Sequence, residues 1–289
     1  MTVQASIKQP VSFEGKGLHT GKQAKITIQP AGEHTGIVFQ RIDKAGKNTK
    51  IHANWKNIKA LPLCTCVTAE NNVYVRTIEH LMAAFYACGI DNALVQIKGS
   101  EIPILDGSAK QFITGINEVG IQQQTARRPV YRFTEKIEIK EDRHRQIIVE
   151  PFDDALIVDI TVLISEVGAQ KWKGKITPEL FAEQISPSRT FGHLRDGLFA
   201  QLSRFTPTPV CLGANTKTAV VLGKQGKVLN KDGLRSPDEL VKHRLLDLVG
   251  DLMLSGGHIH AKITTVGPLH RITHQLLKDA FNKNIIEKF

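Results

Sequence analysis

Aromatic residues make up only 6% of this 289-residue chain, and nowhere do they interleave with a block of lysines and arginines. That weakens the case for a dedicated nucleic-acid surface, which sets aromatic platforms in a basic groove. No apolar run is long enough to span a bilayer, and residues 1–8 lack the apolar core of a secretory signal, so the cytoplasm is the expected compartment. Cysteine is scarce too. Of the four cysteines, Cys64 and Cys66 are separated by one residue, too close for a zinc or redox pair, while Cys88 and Cys211 stand alone. Reduced buried thiols are therefore expected rather than disulfides.

What is present is a globular profile, 41% hydrophobic and 23% charged, in a chain long enough for two domains. The net charge of +10 favours an acidic partner: a phosphorylated small substrate, an anionic membrane surface or nucleic acid. Because the basic residues are spread throughout, nucleic acid is the weakest of the three.

Residues 5–14 alternate as one strand, a glycine-punctuated turn follows at 15–21, and residues 24–30 alternate again. Further strands are predicted at 37–41, 64–68 and 73–75, the last entered through an Asn71-Asn72 turn. A helix over 77–88, a strand over 93–98 and a helix from the Asp106–Ala109 cap to Val119 close the first half. The apolar pattern lapses over 122–129, which places a boundary there. Strands at 130–133, 136–140, 146–150 and 156–162 open the second half, and a helix over 238–254, a strand over 259–264 and a helix over 269–282 close it. One plan used twice implies duplication. The expected fold is α+β, with two duplicated domains, 1–126 and 127–289. Each is a β-sheet with two helices, the helices packed together between two outer sheets.

The chemistry concentrates in two of those helices. In the first, Glu79 and His80 open a helix whose remaining residues are almost wholly apolar. In the second, His243, Asp247 and Asp251 recur every four residues inside a leucine-rich pattern and so form a polar row along one face. Packing the two helices together lets His80 and His243 converge. His80, His243 and Asp247 then offer two imidazole nitrogens and one carboxylate oxygen, a donor set that suits Zn²⁺ with a fourth position left for water. Glu79, next to a ligand, is the candidate general base.

The segments Gly17–Gly21, Leu63–Cys66, Thr77–Leu81, Gly89–Asn92, Glu101–Ala109, Ser188–Gly192, Asp232–Arg235 and His243–Asp251, in that order, resemble the zinc-dependent UDP-3-O-acyl-N-acetylglucosamine deacetylases of lipid A biosynthesis over essentially the whole chain. The resemblance implies hydrolysis of the N-acetyl group of a UDP-linked acylated amino sugar, with Zn²⁺ on His80, His243 and Asp247 and Glu79 as base. It further implies that Thr190 helps hold the oxyanion, that His270 is a cationic acid for the leaving amine, and that Asp251 orients His270. Substrate contacts fall to His19, Leu63, Cys64, Phe191 and Arg244, and an acyl-chain insert to residues 160–180. The implied protein is a monomer that makes at most transient contact with a membrane surface and binds no nucleic acid. The alternative is a catalytically silent homologue that binds acylated nucleotide sugar. Departures from the family pattern are Arg244 for a lysine, Leu269 for a glycine, Ile164 for a phenylalanine, a longer segment at 197–210 and a shorter one at 165–177.

Overall fold

The computed structural model describes residues 2–44, 49–69 and 72–288. Seven strands come first: β1 (Val3–Ile7), β2 (Val11–Lys16), β3 (Gln23–Pro30), β4 (Ile37–Arg41), β5 (Lys50–His52), β6 (Cys66–Thr68) and β7 (Tyr74–Arg76). Helix α1 (Glu79–Cys88), β8 (Ala93–Lys98), α2 (Lys110–Val119) and β9 (Ile121–Arg127) follow. The sheet order is β2-β3-β8-β4-β5, antiparallel except for the β8–β4 pair. Along β3 the residues Ala24, Ile26 and Ile28 are buried while Gln23 and Lys25 are exposed, so alternation gives the sheet one apolar face.

The second half opens with β10 (Val130–Phe133), β11 (Ile137–Asp142), β12 (Arg145–Glu150), β13 (Leu156–Ile164) and β14 (Gly168–Ile176). After a short α3 (Pro178–Leu180) come β15 (Phe191–His193), α4 (Gly197–Leu202) and β16 (Val220–Leu222). The chain then runs through α5 (Glu239–Leu252), β17 (His258–Val266), α6 (His270–Asn282) and β18 (Ile286–Lys288). Here β11 pairs β12, β12 pairs β17 and β13 pairs β14, all antiparallel, and β17 pairs β13 in parallel. These are the directions of the first half, strand for strand. The flanking ribbons also correspond, β1 with β9 and β10 with β18, both antiparallel. The stretch 160–180, read from the sequence as an acyl-chain insert, comprises the end of β13, the turn at 165–167, β14 and α3.

Two segments differ from their sequence reading. The single strand expected over 5–14 is two strands, because Pro10 has no N–H for a ladder and Lys8 donates instead to the Gly120 carbonyl at 2.8 Å, turning the chain after β1. The patternless stretch after residue 121 is strand β9, a largely polar ribbon edge held by backbone pairing with β1 rather than by a buried face. Asn71 of the expected turn lies outside the described residues; Asn72 has φ 60° and donates to the Ala69 carbonyl at 3.1 Å, the left-handed conformation that asparagine tolerates.

One apolar core runs through both halves. Helix α1 packs on α5, α2 on β2, and α6 on β11 and β12, so the helices of the two halves meet. Where α1 starts against α5, a Cβ on Gly250 would lie 2.1 Å from the Glu79 carbonyl oxygen and 2.9 Å from its carbon. Only glycine permits that approach. Gly250→Ala is expected to cost about 1–3 kcal/mol by overpacking and to lower activity by displacing the start of α1. Thermal unfolding with a parallel rate assay checks both, and an unperturbed variant would mean that the crossing relaxes freely.

Candidate active site

His80 comes from the first turn of α1 and His243 and Asp247 from one face of α5. All three are buried, with one donor atom of each lying within 4.8 Å of the others. His80 Nε2 is 3.6 Å from Asp247 Oδ1, and His243 Nε2 is 3.5 Å from Asp247 Oδ2. Donors about 2.1 Å from a tetrahedral ion stand about 3.4 Å apart, so the spacing suits an ion better than mutual hydrogen bonds. The His243 imidazole donates from Nδ1 to the Ser188 carbonyl at 3.1 Å, which leaves the Nε2 lone pair facing the cluster. Burial lowers the His243 pKa to about 3, so the ring is neutral and able to ligate. Burial opposes the charge on Asp247, yet His243, His80, His270 and Arg244 around it hold its carboxyl well below the usual range. Two imidazole nitrogens and one carboxylate oxygen fit a divalent zinc ion.

Beside this cluster runs a second network. Glu79 is buried, accepts the Thr65 backbone N–H at 3.0 Å, and holds Oε1 3.8 Å from His270 Nε2. Burial pushes its pKa up to about 7, with His270 and His80 opposing. A carboxylate poised near neutrality can both take and return a proton. His270, the first residue of α6, lies with Nδ1 2.8 Å from Asp251 Oδ2. Burial disfavours its charge, but Asp251 first, then Glu79 and Asp247, carry its pKa up to about 10. The Thr65 hydroxyl bonds Asp251 Oδ1 and lies 3.0 Å from His274 Nε2, so Thr65 ties Glu79 to the carboxylate behind His270. Thr65 sits in a motif picked out from the sequence, which gave it no role.

The Ser188–Phe191 segment is fastened to the start of α5 by a buried ion pair that the sequence reading also missed. Arg189 donates from its backbone N at 3.0 Å and from Nε at 2.8 Å to Glu239 Oε1, and Glu239 Oε2 accepts the Arg235 N–H at 2.6 Å. Removing Glu239 leaves the buried Arg189 guanidinium with only the exposed Asp232 carboxylate, 3.1 Å from its Nη1, as counter-charge. Glu239→Ala is therefore expected to lower stability by about 3–5 kcal/mol, measured by urea unfolding; a loss below about 1 kcal/mol would mean water replaces the carboxylate.

Of the residues implied as substrate contacts, Phe191 and Arg244 stand at the cluster. The Phe191 ring is 6.2 Å from that of His243, and Arg244 lies 4.9 Å above Phe191 while donating to Asp247 Oδ2 at 3.1 Å. Both line a cavity of about 420 Å³ together with Arg145, Leu163, His193 and Leu269. Arg244 and Leu269 also border a recess reaching Asp247, Asp251 and His270. Thr190 is half-buried; its backbone N–H donates to the Gly107 carbonyl at 2.8 Å, and it directly precedes β15. Leu63 is exposed on a turn with φ 59°, and Cys64 behind it is a buried thiol pushed up to about 12 by burial. His19 is buried, its pKa lowered to about 3 by burial, then by Arg76, His270 and His80. Its backbone N–H donates to Glu101 Oε1 at 2.7 Å, and the same buried carboxyl accepts the Thr77 hydroxyl at 2.9 Å. Glu101 thus ties the glycine turn to the entry of α1.

The model of a family described as UDP-3-O-acyl N-acetylglycosamine deacetylase matches residues 4–282. A UDP-3-O-acyl-N-acetylglucosamine deacetylase of Pseudoalteromonas translucida (strain TAC 125) is 36% identical over 283 residues, covering 96% of this chain and 90% of that protein.

Proposed function

The chain belongs to the UDP-3-O-acyl N-acetylglycosamine deacetylase family, and on that premise we propose that it hydrolyses the N-acetyl group of UDP-3-O-acyl-N-acetylglucosamine, with zinc held by His80, His243 and Asp247. The observation that carries this reading is the buried two-imidazole, one-carboxylate cluster set beside a base and an acid with opposed environments. Bound zinc would polarise the amide carbonyl and bring the pKa of water to about 7. Glu79 takes the proton of the attacking water. The Thr190 hydroxyl supports the developing oxyanion, and His270 gives its Nε2 proton to the departing nitrogen, leaving acetate and a free amine. Asp251 fixes the His270 ring through Nδ1. The cavity beside Phe191, with Arg145 and Arg244 on its wall, is read as the place of the acyl and diphosphate parts. We further read residues 1–126 and 127–289 as two copies of one unit, supported by their common strand pairing.

Acetate release from that substrate, followed against pH, tests the reading. As pH falls through the Glu79 pKa the base is protonated and the rate declines; a bound dication would place this limb below the metal-free value of about 7. As pH rises toward the His270 value of about 10, the acid loses its proton and the rate declines again. A bell-shaped profile is expected. Asp251→Asn removes the anion that raises the His270 pKa and should shift the basic limb to lower pH. A basic limb that stays in place in Asp251→Asn, and in His270→Ala as well, would assign it to another group.

A further inference from the structure

Among the described residues, four exposed large apolar side chains fall within one short segment: Leu194 at 61% exposure, Phe199 at 72%, Leu202 at 59% and Phe205 at 86%. The segment folds as a turn of 3-10 helix, Leu194–Asp196, then α4 and a second such turn, Ser203–Phe205, with Ala200 buried on its inner side. It follows directly on His193, which lines the cavity of about 420 Å³. Arg195 donates to Glu166 Oε1 at 2.8 Å and to Ser165 Oγ at 3.0 Å, tying the segment to the 163–167 turn, where Leu163 and Val167 are also exposed. Leu163, Ser165 and His193, the neighbour of Leu194, line that cavity.

The stretch of chain that carries the apolar group is basic. Residues 191–232 hold six lysines and arginines against two aspartates, a net +4, within a chain of net +10. Lys217, Lys224, Lys227 and Lys231 are all exposed. Among the described residues no helix is long and apolar enough to cross a membrane. Projecting phenylalanines and leucines on a short, cationic lobe have the composition of an interfacial element, which seats apolar side chains at the acyl boundary and lysines against anionic headgroups.

We propose that residues 194–205, with the 163–167 turn, form a docking face for the surface of a bilayer containing anionic phospholipid. Docking there brings the adjoining cavity to the membrane surface, which suits the acylated substrate proposed above; the docking claim itself does not depend on that reading.

Flotation of the full chain with vesicles of phosphatidylglycerol and phosphatidylcholine in equal parts, against vesicles of phosphatidylcholine alone, tests it without substrate, so its failure leaves the deacetylase reading untouched. The protein is expected to float with the mixed vesicles at low salt and to be released at high salt. The double variant Phe199→Ser/Phe205→Ser should bind at least about tenfold more weakly with unchanged thermal unfolding, since both rings are exposed. Protein left in the soluble fraction with mixed vesicles, or a double variant that floats as well as the parent, would overturn the proposal. So would a dimer, seen by sedimentation, that the same substitutions dissolve, because a second copy would then be the occupant.

Discussion

His243→Ala is expected to bring acetate release down to background, a fall of more than about 10⁴-fold, and to abolish stoichiometric zinc binding. His243 is buried, and its Nδ1 contact with the Ser188 carbonyl at 3.1 Å fixes the ring with Nε2 toward the cluster, a donor that alanine removes. Two donors, His80 and Asp247, would remain where a catalytic site needs three. His80→Ala and Asp247→Ala should behave alike. Because a ligand that binds only the folded state raises its stability, added zinc should lift the unfolding temperature of the parent protein and leave that of each variant almost unmoved. That readout is independent of turnover. A variant that still binds one zinc per chain at parent affinity would remove its residue from the donor set.

The second large effect separates the base from the ligands. Glu79→Gln keeps the size of the side chain and removes its ability to take a proton. Its rate is expected to fall about 10²–10⁴-fold while one zinc per chain is retained. Glu79 accepts the Thr65 N–H at 3.0 Å, a bond the amide oxygen of glutamine can still accept, so the local backbone should hold. Metal lost in step with activity would make Glu79 part of the metal cluster instead.

Much of this arrangement was readable from spacing. The row of His243, Asp247 and Asp251 follows from the helical period, and Glu79 and His80 stand out because charged and polar groups open an otherwise apolar helix. Sequence could not show the groups whose meaning depends on distant partners. Thr65 meets Asp251 across 186 positions, Arg189 meets Glu239 across 50, and Glu101 meets His19 across 82. Local pattern carries no trace of such contacts. Gly250 likewise reads as a weak spot in a helix until the Glu79 carbonyl is seen against it. The break at Pro10 and the ribbon strand β9 escaped because one strand reads as a continuation of alternation and the other as polar chain. For Thr190 the described contacts are backbone bonds, and its role as an oxyanion donor rests on the family resemblance alone.

The most direct measurement of the central claim is a zinc titration of chelator-stripped protein with acetate release as the readout. The account predicts no turnover without metal, recovery that saturates at one zinc per chain, and no recovery in His243→Ala. Full turnover by the stripped protein, or saturation only after a second equivalent, would contradict it.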